Sequence, residues 1–297
     1  MKKNSKVYVI VGPTASGKSE AAVDLALKHD GEVISADSVQ VYKGLDIASG
    51  KITQTEMRGV PHHLLDVAEL ETKFTAEDFR VLGNKAIVDI ISRGKTPVIA
   101  GGTGFYVDTL VNNIKYPAVE SDIKAKINNL DIRSLNKLAT ETLPDTIWDS
   151  FDNKNPARVR SRLGLWLSHG EIPKPQLLER DLDLEFKWLG LNPNQEILNQ
   201  RIVSRTDYRL ENDMIAEVQN MLDSGISASW LKSVGLEYRL IVEHLEKEIS
   251  VEKLRTEIIN ADMKYAKRQM TWFKRNQNIK WFESPEDLLE HTLTLNS

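Results

Sequence analysis

The sequence contains no cysteine. It therefore has no disulfide bond, no thiolate zinc site and no cysteine nucleophile. Long hydrophobic runs are missing as well. The five apolar residues Val7–Val11 are too few for the core of a signal peptide, and no run approaches the roughly 20 residues of a membrane span. We expect a cytoplasmic protein of a reducing compartment, with no membrane partner.

The sequence also lacks an excess of positive charge. Its formal net charge is −4, which argues against a protein that is basic all over. Nucleic-acid binding stays possible because basic residues can gather on one face. With 297 residues, 41% of them apolar, the chain has the composition of an ordinary globular protein of one large domain or two.

The stretch from Val7 to Ser19 has the features of a phosphate-binding loop. A run of β-favouring residues leads into the pattern G-x-x-x-x-G-K-S, and a helix-prone segment follows at 20–28. Glycines let backbone N–H groups close around phosphate oxygens, and the helix dipole adds positive potential there. In such loops the lysine reaches the terminal phosphates and the serine hydroxyl binds Mg²⁺. We expect a di- or triphosphate to bind at Gly12, Ala15, Ser16, Gly17, Lys18 and Ser19, with Ser19 as the metal ligand.

Gly31 is expected to end the first helix, and a second buried strand is predicted at 32–36. This strand delivers Asp37 to its carboxyl end, the edge of an open parallel sheet where ligands bind. Asp37 and Lys18 should therefore lie on the same side of the sheet, up to about 10 Å apart. The carboxylate can act as a general base, as a Mg²⁺ partner or as the N-cap of a short helix. Spacing alone leaves these alternatives open.

A helical stripe at 74–93 and a third strand at 96–100 extend the α/β pattern, and the strand ends in Gly101–Gly104. That glycine turn can offer amides to a phosphate or can simply be a tight strand-to-helix turn. His62 and His63 are adjacent, so they point in different directions and do not predict a metal site. We interpret them as polar residues at a turn before a strand.

From Pro117 the sequence becomes polar and helix-forming, with no strong strand candidate before 185–191. We therefore expect a helical insertion domain at 117–183 within a core formed by 1–116 and 184–297. The insertion carries a basic run at 154–162 with no acid among its basic residues. A solvated face is the usual explanation for such a run.

Arg201, Arg205 and Arg209 recur at intervals of four in the helix predicted after the fourth strand. They share one stripe, and planar guanidinium groups suit a diphosphate. An exposed helix face paired with Glu211 and Asp213 explains the spacing equally well.

The longest predicted helix covers 251–276 and gathers basic residues on one side. A basic face beside aromatic residues suits an RNA backbone, although a solubilising surface has the same appearance. The basic residues are Lys264, Lys267, Arg268, Lys274 and Arg275.

Seven stretches of the sequence carry a resemblance to one family: Gly12–Ser19, Ile34–Ile47, Val60–Asp66, Gly101–Tyr106, Gln200–Ile202 with Arg205, Val234–Gly235 and Ala266–Phe273. Together they resemble the tRNA dimethylallyltransferases, also called tRNA isopentenyltransferases. Since the sequence has no cysteine, we expect no zinc finger of the kind that eukaryotic relatives carry, and the resemblance is to the bacterial type.

The resemblance implies a P-loop-like α/β fold and the Mg²⁺-assisted transfer of a dimethylallyl group from dimethylallyl diphosphate. The acceptor is N6 of the adenosine immediately 3′ of the anticodon, in tRNAs that read codons beginning with U. Asp37 is implied as the base on that amine, and Thr14 and Arg205 as catalytic residues that contact the diphosphate. Contacts with the tRNA anticodon stem-loop are implied for Asp37, Ser38, Val39, Gln40, Ala157, Arg158, Arg160, Arg162, Lys267 and Arg268. We expect a monomer.

One stretch departs from the family pattern. Arg158 fits the first of two expected arginines, but Ser161 stands at the second position and Gly164 replaces an acid. The contacts implied for the insertion are therefore the least well matched.

Three other functions remain alternatives. The same loop serves small-molecule kinases and NTP hydrolases, which would turn over ATP. A related enzyme could prenylate free adenine nucleotides, although such a substrate needs no basic helix face. An RNA-binding protein with an inactive site would retain Lys18, Ser19 and Asp37 only by coincidence.

Overall fold

The structure of the protein is a computed structural model that describes residues 5–294. Six of its strands form one sheet in which all neighbouring strands are parallel, and the other two form a short antiparallel pair. Within the described residues the strands are β1 (Ser5–Val11), β2 (Gly31–Ser35), β3 (His62–His63), β4 (Thr96–Gly101), β5 (Ile114–Lys115), β6 (Gln176–Leu177), β7 (Leu184–Leu191) and β8 (Lys280–Phe282). The order in the large sheet is β3-β2-β4-β1-β7-β8.

Residues 5–294 also form fourteen helices. In the same part of the chain they are α1 (Lys18–Lys28), α2 (Gln54–Met57), α3 (Ala76–Ser92), α4 (Gly104–Val111), α5 (Ser121–Asn128), α6 (Ile132–Thr142), α7 (Asp145–Trp148), α8 (Pro156–His169), α9 (Gln195–Glu211), α10 (Met214–Asp223), α11 (Ala228–Val234), α12 (Leu236–Leu245), α13 (Val251–Phe273) and α14 (Pro285–Thr294).

The apolar run of β1 is explained by burial on both faces. Val7, Val9 and Val11 pack in the cluster that contains α3 and α4, while Tyr8 and Ile10 pack in the cluster that contains α1. Continuous hydrophobic strands are typical of a parallel sheet covered by helices on both sides. The predicted P-loop-like α/β fold is confirmed.

The chain divides into two compact units. One comprises the residues up to Asn112 and those from Arg180 onward, and the other is Asn113–Glu179. The second unit contains α5 to α8 around its own core, together with the β5–β6 pair, which the sequence did not predict. The residues of that core are Ile127, Leu135, Ala139, Leu143, Val159 and Leu163.

Two local predictions are wrong. Gly31 does not end α1, whose C-cap is His29. Gly31 is instead the first residue of β2, where a Cβ would collide with the carbonyl oxygen of Thr96. His62 and His63 do not precede a strand; they form the edge strand β3, because they pair in register with β2. A polar two-residue strand is too short to show an alternating pattern.

Among residues 5–294, no helix has both the length and the apolar character needed to cross a membrane.

Candidate active site

The loop between β1 and α1 has the backbone that phosphate binding requires. Gly12 (φ +155°) and Gly17 (φ +92°) adopt conformations that side chains disfavour. A Cβ at Gly12 would also collide with the carbonyl oxygen of Leu191. Gly17 is the N-cap of α1, and no side chain caps it. The first amides of α1 are therefore available to an anion.

Lys18 is half-buried at the end of this loop. Its Nζ donates a hydrogen bond to the carbonyl oxygen of Pro13 at 2.6 Å. Burial, reinforced by the nearby charge of Arg205, lowers the pKa of Lys18 to about 7. An anion placed beside this ammonium group would favour its charged form.

Ser16 is fully buried, and its hydroxyl has no hydrogen-bond partner within the described part of the chain. Such an orphaned group is costly unless a ligand satisfies it. This serine belongs to the loop expected to hold the diphosphate.

Asp37 follows β2 at the carboxyl edge of the sheet. Its Oδ1 accepts the backbone N–H of Val39 at 2.8 Å and that of Gln40 at 3.2 Å. No helix begins at this turn, so the helix N-cap alternative is excluded and the carboxylate caps a turn. The N–H of Ser38 donates to the hydroxyl of Thr103 at 3.3 Å, which ties the turn to the glycine segment after β4.

Asp37 and Lys18 line the same cavity, whose volume is about 320 Å³. The expected site residues that line it are Thr14, Lys18, Ser19, Asp37, Ser38, Val39, Gln40, Arg205 and Arg268. A second cavity of about 740 Å³ shares Lys18, Ser19, Gly50 and Arg205 with the first, and Ala15, Ser16 and Gly17 line it. Gly12 lines neither of these two cavities and acts through its backbone conformation.

The arginine stripe of α9 faces this region. Arg205 donates to the hydroxyl of Thr14, and Arg201 donates to the carbonyl oxygen of Ser16, both at 3.3 Å. Arg209 is buried and bonds the carbonyl oxygen of Ala48 at 2.8 Å and Asp262 at 3.3 Å. Arg201 is exposed, but the acids that pair with this stripe in the described part of the chain are Glu237 and Asp262, which pair with Arg209, and not Glu211 and Asp213. Arg205 is the member that reaches the 320 Å³ cavity.

Sequence reasoning missed four polar residues of the C-terminal helices that also line this cavity, Glu237, Asp262, Tyr265 and Gln269, together with Ser35 and Ser49. Burial and the neighbouring Asp262 raise the pKa of Glu237, and burial raises the pKa of Tyr265 to about 12. Three of the four lie on one face of α13 at spacings of three and four. Polar residues at helical spacing within an otherwise apolar stripe were the available signal.

A model of the IPP transferase family matches residues 40–276. The tRNA dimethylallyltransferase of Thermoanaerobacter sp. is 35% identical over 287 residues, which cover 93% of this chain and 91% of that protein. The tRNA dimethylallyltransferase of Staphylococcus carnosus is 34% identical over 295 residues, covering 95% and 92%. The chain belongs to the IPP transferase family.

Solved structures agree with the family assignment. The tRNA isopentenylpyrophosphate transferase of Bacillus halodurans aligns with a TM-score of 0.73 and 30% identity, covering 99% of this chain and 96% of that one. A eukaryotic dimethylallyltransferase acting on tRNA aligns with a TM-score of 0.72 and 26% identity, covering 91% and 70%.

The remaining candidate RNA-binding residues of this family member lie on two helices. On α13, Lys267 is exposed, and the guanidinium of Arg268 lies 5.5 Å from the ring centre of Tyr265. On α8 of the second unit, Ala157 is exposed and Arg158 pairs with Asp152 at 3.6 Å. Arg160 donates to the carbonyl oxygen of Leu130 at 3.0 Å, and Arg162 lies over the ring of Phe151.

The site offers few side-chain ligands for a metal ion. Among residues 5–294, no group of three or more histidine, aspartate or glutamate side chains could hold an ion. Mg²⁺ commonly binds through one or two protein oxygens together with substrate phosphates and water. Ser19 lines both cavities, and a serine hydroxyl is compatible with that mode.

Proposed function

We propose that this protein transfers the dimethylallyl group of dimethylallyl diphosphate to N6 of the adenosine immediately 3′ of the anticodon. The tRNAs are those that read codons beginning with U, and the second product is diphosphate. The observation that carries the proposal is that one cavity is lined by Lys18, Arg205 and Asp37. This places two cations suited to a leaving diphosphate beside a carboxylate suited to an amine.

The cationic side of the cavity stabilises the leaving group. As the bond between C1 of the dimethylallyl group and the diphosphate oxygen breaks, negative charge grows on the diphosphate. Lys18 and Arg205 neutralise this charge together with the amides at the start of α1. Thr14 contributes by holding Arg205 through its hydroxyl. Mg²⁺ bound by Ser19 and the diphosphate would lower the charge on the leaving group further.

The carboxylate side activates the acceptor. The lone pair of N6 forms the new bond to C1, the C1–oxygen bond breaks, and the N6 proton passes to Asp37. Oδ1 of Asp37 is engaged by its turn, so Oδ2 is the oxygen we assign to the proton. Because an adenine in a stacked loop cannot reach this cavity, the base must leave its stack.

The RNA contacts that we propose follow from charge and position. Ser38, Val39 and Gln40 line the cavity beside Asp37 and would contact the extruded base. Lys267 and Arg268 would neutralise phosphates of the anticodon arm. The insertion domain, proposed as 117–183 from sequence and bounded at Asn113–Glu179 in the structure, would contact the same arm through Ala157, Arg158, Arg160 and Arg162. The proposal includes a cytoplasmic location and a monomer.

The test is to incubate the purified protein with dimethylallyl diphosphate, MgCl₂ and unmodified tRNA, and then to analyse the nucleosides by mass. The expected result is an adenosine that carries one dimethylallyl group. Parallel reactions contain AMP in place of tRNA, or ATP in place of the prenyl donor. Product with AMP but not with tRNA, or ATP turnover without any prenylated nucleoside, would overturn the proposal.

A further inference from the structure

Gln269 is a buried amide in the middle of the basic stretch of α13. Only 5% of its surface is exposed, although its neighbours Lys267 and Arg268 are exposed. Its side chain therefore points into the protein, where it also lines the 320 Å³ cavity. Both polar atoms of the amide form hydrogen bonds. Oε1 accepts the backbone N–H of Thr14 at 2.7 Å, and Nε2 donates to the carbonyl oxygen of Gly102 at 3.0 Å.

The partners fix the orientation of this amide. The Thr14 N–H can only donate and the Gly102 carbonyl can only accept, so Oε1 must face Thr14 and Nε2 must face Gly102. Gly102 has no side chain at the point of contact, and a Cβ there would collide with Nε2. The backbone immediately after β4 is thus shaped to admit this side chain.

Each partner belongs to a different half of the proposed reaction centre. Thr14 accepts a hydrogen bond from Arg205 on the diphosphate side. Gly102 precedes Thr103, whose hydroxyl accepts the N–H of Ser38 next to Asp37 on the amine side. One side chain therefore connects the cation that meets the leaving group to the turn that carries the base.

The bond to the Thr14 amide also limits which groups of the loop can bind a phosphate. Because Gln269 occupies this N–H, the amide is not available to a phosphate, and the diphosphate must be held by later amides of the loop and by Lys18. Because the Thr14 amide is bonded to Gln269, the position of the loop is fixed relative to α13.

We propose that Gln269 is a positioning residue, which sets the distance between the Thr14–Arg205 pair and the turn of Asp37. It acts through Thr14 and Gly102 and takes no part in bond making. This inference rests on the proposed function, since it concerns the geometry of the same transfer. Displacing reacting groups by about 1 Å can slow a reaction about 100-fold, so the loss of this amide should lower kcat more than it changes KM.

The test compares Gln269→Met, which keeps the length of the side chain but makes neither bond, with Gln219→Met on the exposed face of α10 as a matched control. Single-turnover prenyl transfer is measured at saturating substrates, together with KM for dimethylallyl diphosphate and thermal unfolding. We expect the rate to fall about tenfold or more for Gln269→Met, with a folded protein, and to stay within about twofold of wild type for the control.

A double-variant cycle separates positioning from general packing. Thr14→Val removes the hydroxyl that holds Arg205, and we expect the Thr14→Val, Gln269→Met double variant to be as slow as Thr14→Val alone, within about threefold. Multiplicative losses in the double variant, or an unchanged rate in Gln269→Met, would overturn the inference. If Gln269→Met does not fold, Gln269→Glu replaces it in the same cycle with the same expectations, because an ionised carboxylate cannot donate to Gly102.

The affinity for inorganic pyrophosphate with MgCl₂ distinguishes failure of this inference from failure of the proposed function. If the wild-type protein prenylates no tRNA, the proposed function fails, yet pyrophosphate binding still reports on the loop. We expect Gln269→Met to weaken that binding about threefold, which is less than its loss in kcat because positioning matters most in the transition state, and Gln219→Met to leave it unchanged. Equal affinities in both variants would count against a positioning role.

Discussion

At the residue scale, the neighbours of Asp37 and of Lys18 determine what each side chain can do in the site. Asp37 uses Oδ1 to hold two backbone N–H groups, which fixes the carboxylate at the edge of the sheet. Lys18 is half-buried at the end of its loop and bonds Pro13. Asp37 can be made neutral with its shape kept, and Lys18 can be replaced by a side chain that stays charged, so the two resulting predictions are independent.

Asp37→Asn should abolish most of the activity and leave the diphosphate site intact. Asparagine still caps the turn but cannot accept the N6 proton, so we expect kcat to fall about 10²- to 10⁴-fold. The Kd for pyrophosphate should change less than about twofold. Rapid-quench assays and calorimetry measure the two quantities, with Asp181→Asn in an exposed loop as the control. A near-normal kcat in Asp37→Asn would contradict the assignment of Asp37 as the general base.

Lys18 should take up a proton when a diphosphate binds. Because burial lowers its pKa to about 7, the free protein at a pH above this value holds Lys18 mainly neutral, and the bound anion favours the ammonium form. Affinity should therefore fall as the pH rises through this pKa. Calorimetry at about pH 8 in two buffers of different ionisation enthalpy measures the uptake. Lys18→Arg, which stays charged, should bind without the uptake that Lys18 causes. Equal uptake in both proteins would contradict this assignment.

At the scale of elements, what the sequence predicts depends on whether a role is local. The loop after β1 was predictable because strand, glycine turn and helix follow one another in the chain, and the position of Asp37 was predictable because a buried strand precedes it directly. Gln269 and Asp262 were not, because their partners lie in distant elements. The spacing of Arg205 predicted its stripe, but only the packing of α9 against α13 decided between a binding face and an exposed one.

The edge of the sheet provides a prediction at this scale. Glu32 on β2 bonds Arg93 and His63, and the Arg93 guanidinium, with help from His63, lowers the pKa of Glu32 to about 2. A lowered carboxyl pKa stabilises the fold above the ordinary carboxyl pKa, and this contribution is lost as the pH falls toward 2. We expect Glu32→Gln to lower the free energy of unfolding by about 1–3 kcal/mol near neutral pH.

Urea unfolding of Glu32→Gln and of the wild type measures this effect at several pH values. The difference between the two proteins should shrink as the pH is lowered from about 7 to about 3. A difference independent of pH would mean that the carboxylate charge does not support the β2–β3 edge.

At the scale of the whole molecule, an acidic protein must bind an acidic polymer. The formal net charge is −4, so long-range attraction does not arise from the total charge, and binding has to rely on local basic faces. Lys267 on α13 belongs to such a face and is exposed. The affinity for tRNA should therefore fall steeply as salt is added.

Lys267→Gln should weaken tRNA binding and lower the slope of log affinity against log salt by up to about 1. Filter binding across a salt series measures the slope. The comparison variant is Lys124→Gln, which lies on the exposed face of α5 in the insertion domain. An unchanged slope in Lys267→Gln would mean that Lys267 does not contact a phosphate of the RNA.

The most direct measurement is the structure of the protein bound to Mg²⁺, pyrophosphate and an unmodified anticodon stem-loop. It should place phosphate oxygens against Lys18 and Arg205, and the N6 amine of the extruded adenine about 3 Å from the Asp37 carboxylate. An adenine bound outside the cavity of Lys18 and Asp37, or a pyrophosphate away from the loop after β1, would contradict the account.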